Sequence, residues 1–114
     1  MRLPPGKLVN LDGALWRVAV EPHAGRVRLH NDDRNKTVRL DRLGLKTLDR
    51  YLVGALVRLT EDVKTRGDLI YLKDQVFTVN TTSRGVFDLC VDNPRRCIRN
   101  VSRHSFELCE EIEP

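Results

Sequence analysis

Basic side chains crowd the first third of this sequence at spacings that suit contact with phosphate groups. Arg17, Arg26, Arg28 and Arg39 fall on short runs in which apolar and polar residues alternate, and Arg34 and Lys36 lie just ahead of the last run. Side chains two apart on a strand share a face, so Arg26 and Arg28 are expected to project together. Arg39 and Arg17 join them from neighbouring strands, with Arg34 and Lys36 in the hairpin tip beside them. Guanidinium groups arrayed in this way can straddle a phosphate backbone. An ordinary solvated β face, partly neutralised by Glu21, Asp32 and Asp33, would carry the same pattern.

Other chemistry is sparse. Ser83, Ser102 and Ser105 lie outside any Gly-x-Ser-x-Gly elbow, and neither a glycine-rich phosphate loop nor a His-Glu-x-x-His pair occurs. Cys97 and His104 could act as nucleophile and base, but nothing in the sequence supplies a third group to orient them. Cys90, Cys97, His104 and Cys109 have the right chemistry for zinc but the wrong spacing for a short knuckle. No catalytic residue, metal or cofactor is therefore expected. Cys90 and Cys97 are expected to face each other on the outside of one hairpin. An odd cysteine count without a Cys-x-x-Cys pair argues against a disulfide framework and favours a reducing compartment.

The 114 residues are 40% hydrophobic and 32% charged, which excludes wholesale disorder. The net charge of +4 is uneven: residues 1–45 carry nine Lys/Arg against five Asp/Glu, residues 67–114 six against eight. A partner that is an acidic polymer would meet the first half. No apolar run approaches the length of a membrane span, and Met1 to Gly6 lacks the apolar stretch of a secretory signal. A cytoplasmic protein without a membrane partner is expected.

These elements belong to an internal repeat. Gly6 to Gly13 matches Gly67 to Asp74, and Leu15-Trp16-Arg17-Val18 matches Val76-Phe77-Thr78-Val79, both at an offset of 61. The offset becomes 60 where Gly25 meets Gly85, Val27-Arg28-Leu29 meets Phe87-Asp88-Leu89, and Val38-Arg39 meets Ile98-Arg99. Val57 to Val63 matches Phe106 to Ile112 at 49. Short alternating runs bounded by turn residues predict strands near 7–11, 15–20, 26–31, 37–41 and 56–63. The second copy has them near 68–72, 76–81, 86–91, 97–101 and 105–112. Leu45, Leu48, Leu52 and Ala55 recur at helical spacing and predict a short helix between strands four and five of the first copy. The expected fold is all-β: two tandem five-stranded SH3-like barrels, residues 1–65 with the helical insertion and residues 66–114. Trp16, Val18, Val20, Val27, Leu29, Val38 and Leu40 should point inward, with Phe77, Val79, Phe87, Leu89, Ile98 and Val101 as their counterparts.

The run from Gly6 to Val18, followed by Gly25 to Leu29, Asp32 and Val38-Arg39-Leu40, resembles the small β-barrel that follows the catalytic core in Mu-type transposases. The resemblance implies a barrel taking part in a protein–DNA assembly of a phage or mobile element, with no catalytic residue carried over. Non-catalytic binding of nucleic acid or a nucleoprotein complex, through the basic face of the first barrel, is the expected function. The rival is a protein-interaction module, an inhibitor or assembly component that binds a host protein through exposed strand edges.

Overall fold

The protein is described by a computed structural model over residues 1–67, 69–92 and 94–109. It is built from antiparallel β-sheets joined by one-turn 3-10 helices. Strands β1 (Leu8–Leu11), β2 (Ala14–His23), β3 (Arg26–Asn31) and β4 (Arg34–Arg39) form a first sheet in the order β1-β2-β3-β4. Its turns are tight, with positive φ at Asp12-Gly13, Ala24-Gly25 and Asp32; glycine and aspartate tolerate it, whereas Ala24 adopts it at a cost. The 3-10 turns Leu40–Leu43 and Asp49–Leu52 then lead to β5 (Leu56–Leu59).

A two-stranded hairpin of β6 (Val63–Lys64) and β7 (Ile70–Tyr71) precedes β8 (Val76–Ser83), β9 (Val86–Val91) and β10 (Arg96–Ser102). A third 3-10 turn, Arg103–Ser105, leads into β11 (Phe106–Leu108). The second sheet has the order β10-β9-β8-β5-β11. Among the described residues, neither sheet closes into a barrel.

The repeat is real in the middle of each sheet. Val18 pairs with Leu29 and Val20 with Arg28, while Val79 pairs with Leu89 and Thr81 with Asp88. The register, with a bulge at Ala19 and at Asn80, is thus conserved between the copies at offsets 61 and 60. The bulge corrects one expected core residue: it turns Val20 outward, where it is 55% exposed.

At the ends the correspondence differs from the expected one. β9 and β10 are joined by four residues between Val91 and Arg96, where Asn31 and Arg34 enclose only two. Lys36 opposite Leu29 therefore matches Ile98 opposite Leu89, an offset of 62. A further bulge, with Asn100 at φ +58°, raises the offset to 63 for Val38 and Val101. The strand expected to end the first copy is β5, and it pairs with β8 and β11 in the second sheet. β7 pairs with β6 and not with β8. The counterpart of β1 is β5: Val9 faces Trp16 as Val57 faces Phe77. No α-helix forms over residues 45–55. Tyr51 and Leu52, adjacent on the 3-10 turn, instead point into different cores.

Those cores are separate. Leu3, Val9, Leu11, Trp16, Val18, Val27, Leu29, Val38, Leu40, Leu43 and Tyr51 fill the first. Leu52, Val57, Leu59, Phe77, Val79, Phe87, Leu89, Ile98, Val101, Phe106 and Leu108 dominate the second. Full burial of each such side chain contributes about 1.5–3 kcal/mol. Gly25 ties the two together: its N–H donates to the Tyr51 carbonyl at 2.7 Å, and its Cα lies close to Leu108 and Ala55.

Candidate functional site

Residues directly opposite across antiparallel strands share a face, so the registers define the outer surface of the first sheet. Arg17, His30 and Asn35 form one row across β2, β3 and β4. Val20, Arg28 and Thr37 form the next, and His23, Arg26 and Arg39 the third. Four arginines and two histidines thus stand among nine outward positions that hold no Asp or Glu. The alternation brings Arg17, Arg26, Arg28 and Arg39 together as expected. Arg34 and Lys36 behave differently: they lie opposite Asn31 and Leu29, on the other side of the ribbon.

Of the acids near this face, Asp32 lines a pocket with Arg17 and His30, whereas Glu21 and Asp41 are engaged elsewhere. Glu21 accepts hydrogen bonds from Tyr51 Oη at 3.1 Å and Arg50 Nη2 at 3.3 Å, on the side of the core. Asp41 pairs with Arg39 at 3.2 Å, and Arg39 also donates to the Leu108 carbonyl at 3.4 Å. Arg39 therefore helps to join the two sheets. Arg17 donates to the Gly6 carbonyl at 3.1 Å. Among the described residues, Arg28 meets no carboxylate.

The third row opens onto a cleft of about 880 Å³ between the sheets. Arg26, Arg39 and Asp41 line it from the first sheet, and Leu56, Arg58, Val76, Glu107 and Leu108 from the second, where Val76, Arg58 and Glu107 form one row. Arg58, which sequence reasoning missed, donates to Glu107 Oε1 through Nη2 at 2.5 Å and Nε at 3.1 Å. That hydrogen bond, with the carboxylate's charge, holds the guanidinium still more firmly protonated than usual. Burial pushes the Cys109 thiol up, against the pull of Arg58, so the neutral thiol faces the cleft.

The second sheet carries a different outer surface. Thr78, Asp88 and Cys90 stand where Arg17, Arg28 and His30 stand in the first. Asp88 accepts from the Thr81 hydroxyl at 3.2 Å and from the Asn100 N–H at 3.3 Å, which holds the bulge of β10. Cys90 and Cys97 are opposite each other as expected, with Cα atoms 4.1 Å apart. They are joined as a disulfide, a pairing the odd cysteine count had argued against. Cys90 is buried, so it is not the exposed surface position expected of it. The bond occupies two of the four zinc candidates, and Cys109 remains a free thiol.

Among the described residues, no helix is long and apolar enough to cross a membrane. No protein-family model, curated protein or solved structure matches the chain.

Proposed function

We propose that this chain binds nucleic acid, or a nucleoprotein complex, without catalysis, through the outer face of the first sheet. The carrying observation is that face itself: four arginines and two histidines among nine outward positions, with no acidic residue. Such a surface gains affinity by displacing counterions from a phosphate backbone. The strand order of the second sheet, with a 3-10 turn before its last strand, supports reading that half as a small SH3-like barrel, and the shared register of β2–β3 and β8–β9 supports reading the first sheet as its shorter copy. The resemblance to the transposase barrel, and with it a phage or mobile-element origin, fits the same reading.

A salt series tests it. Binding of mixed-sequence DNA and RNA should weaken steeply as salt rises. Arg17→Ala and Arg28→Ala should each reduce the slope of log affinity against log salt by about 0.7–0.9. Arg34→Ala and Lys36→Ala, on the other side of the ribbon, should change it far less. Equal effects from both pairs would show that net charge, not this face, governs binding.

A second reading rests on a different observation. Leu69, Ile70 and Leu72 of the β7 segment are all more than half exposed. Contiguous exposed apolar residues mark protein contacts, so a protein partner is the alternative. Absence of salt-sensitive nucleic-acid binding would favour it.

A further inference from the structure

We propose that the cleft between the sheets is the seat of an unpaired nucleic-acid strand, with phosphates on Arg26 and Arg58 and a base against Leu56 and Val76. This rests on the nucleic-acid reading of the outer face and carries it onto the second sheet. Arg26 and Arg39 of the third row line the cleft from the first sheet, so a backbone lying on Arg17 and Arg28 runs directly into it. Arg58 of β5 lines it from the second sheet. Beyond it stand Thr78 and Asp88, which carry no positive charge.

The second-sheet side of the cleft identifies the ligand class. Leu56 is 53% exposed and Val76 42%, leaving uncovered apolar surface beside guanidinium groups. A nucleotide presents that combination, an anionic phosphate joined to a base with apolar faces. The cleft's 880 Å³ falls within the roughly 300–1,000 Å³ usual for small-ligand sites. A duplex keeps its bases stacked inside and has no free base face to offer this apolar surface. Trp16, Tyr51, Phe77, Phe87 and Phe106 are buried in the cores and Tyr71 packs against Phe77; none of them lines the cleft, so the base contact is aliphatic, helped by guanidinium planes. Affinity then comes chiefly from charge.

Glu107 acts against the ligand. Its carboxylate occupies Arg58, and an incoming phosphate has to replace it. The pair is half-exposed on both sides, so breaking it costs little stability.

The test titrates the whole chain with a labelled oligothymidine and with a mixed-sequence duplex of the same length, at several salt concentrations. The single strand should bind more tightly. Arg58→Gln should weaken it by about tenfold and flatten the salt slope by about 0.7. Glu107→Gln should tighten it, and Leu56→Ser should weaken it with the slope unchanged. Thermal melting of each variant checks that the fold is intact. Duplex binding as tight as that of the single strand overturns the inference. So does wild-type binding by Arg58→Gln and Glu107→Gln while Arg17→Ala and Arg28→Ala are impaired, an outcome that leaves the outer-face reading standing. Loss of salt-sensitive binding altogether removes both.

Discussion

At Gly25 the chain turns with φ of +77°, and a Cβ there would stand 2.8 Å from Leu108 Cδ2 and 3.1 Å from Ala55 Cβ. Gly85 makes the same turn in the second copy with φ +81°, but a Cβ there would meet nothing within 4 Å. The two positions separate costs that usually arrive together. A side chain in left-handed backbone costs about 1–2 kcal/mol at either site. Overpacking adds about 1–3 kcal/mol, and only at Gly25. Gly25→Ala should therefore lose about 2–5 kcal/mol in urea unfolding, and Gly85→Ala only about 1–2 kcal/mol. Equal losses would mean that Leu108 shifts aside at no cost. The sequence shows both glycines as matching turns, but nothing in its alternation says which turn abuts another sheet. The same limit applies to the site. Alternation around Val27 and Leu29 is enough to place Arg26 and Arg28 outward. Arg58 reaches the cleft only through the junction, which no local pattern encodes.

The elements explain where the repeat misled. Gly6 to Gly13 and Gly67 to Asp74 match in their leading glycine and apolar pattern, yet β7 pairs with β6, away from β8. The structural counterpart of β1 lies earlier, where Leu56-Val57-Arg58-Leu59 repeats Leu8-Val9-Asn10-Leu11 at an offset of 48. That signal is only four residues long, and the β6–β7 hairpin separates it from the strand it pairs with. The expected helix failed for a related reason. Leu48, Leu52 and Ala55 do face apolar surroundings, but they serve two cores, and one helical stripe faces only one. The hairpin's status as an insertion can be tested. In the first sheet Asp12-Gly13 alone links Leu11 to Ala14, while residues 60–74 link Leu59 to Gln75. Replacing residues 60–74 by Asp-Gly should leave the second sheet with its register intact. Stability should fall by about 2–4 kcal/mol, because Val63 and Tyr71 no longer pack on the core and Tyr71 loses its edge contact with Phe77. Cross-strand amide contacts between Val57 and Phe77 would check the register. Their absence would show that the hairpin is needed for pairing.

The whole molecule measures 52 × 34 × 22 Å with a radius of gyration of 15.5 Å, larger than the roughly 13 Å of a compact chain of this length. Two small cores lie side by side, and each is near the lower limit for independent folding. The junction must therefore supply stability as well as geometry. It does so through shared residues: Tyr51 enters the first core and Leu52 the second. Gly25 donates to the Tyr51 carbonyl, Gly54 to the Val79 carbonyl at 2.8 Å, and Arg39 to the Leu108 carbonyl. Tyr51 Oη also accepts from the buried Leu3 N–H at 3.2 Å, fastening the first core to the same turn. A chain tied in this way should unfold as one cooperative unit. Trp16 reports only on the first core, whereas far-UV circular dichroism reports on both sheets. Their urea midpoints should coincide. Leu52→Ala should cost about 2–5 kcal/mol and lower the Trp16 midpoint together with the circular dichroism, although Leu52 packs in the other core. A Trp16 transition left in place by that substitution would mean that the two sheets fold independently. The cleft between them would then be free to open and close.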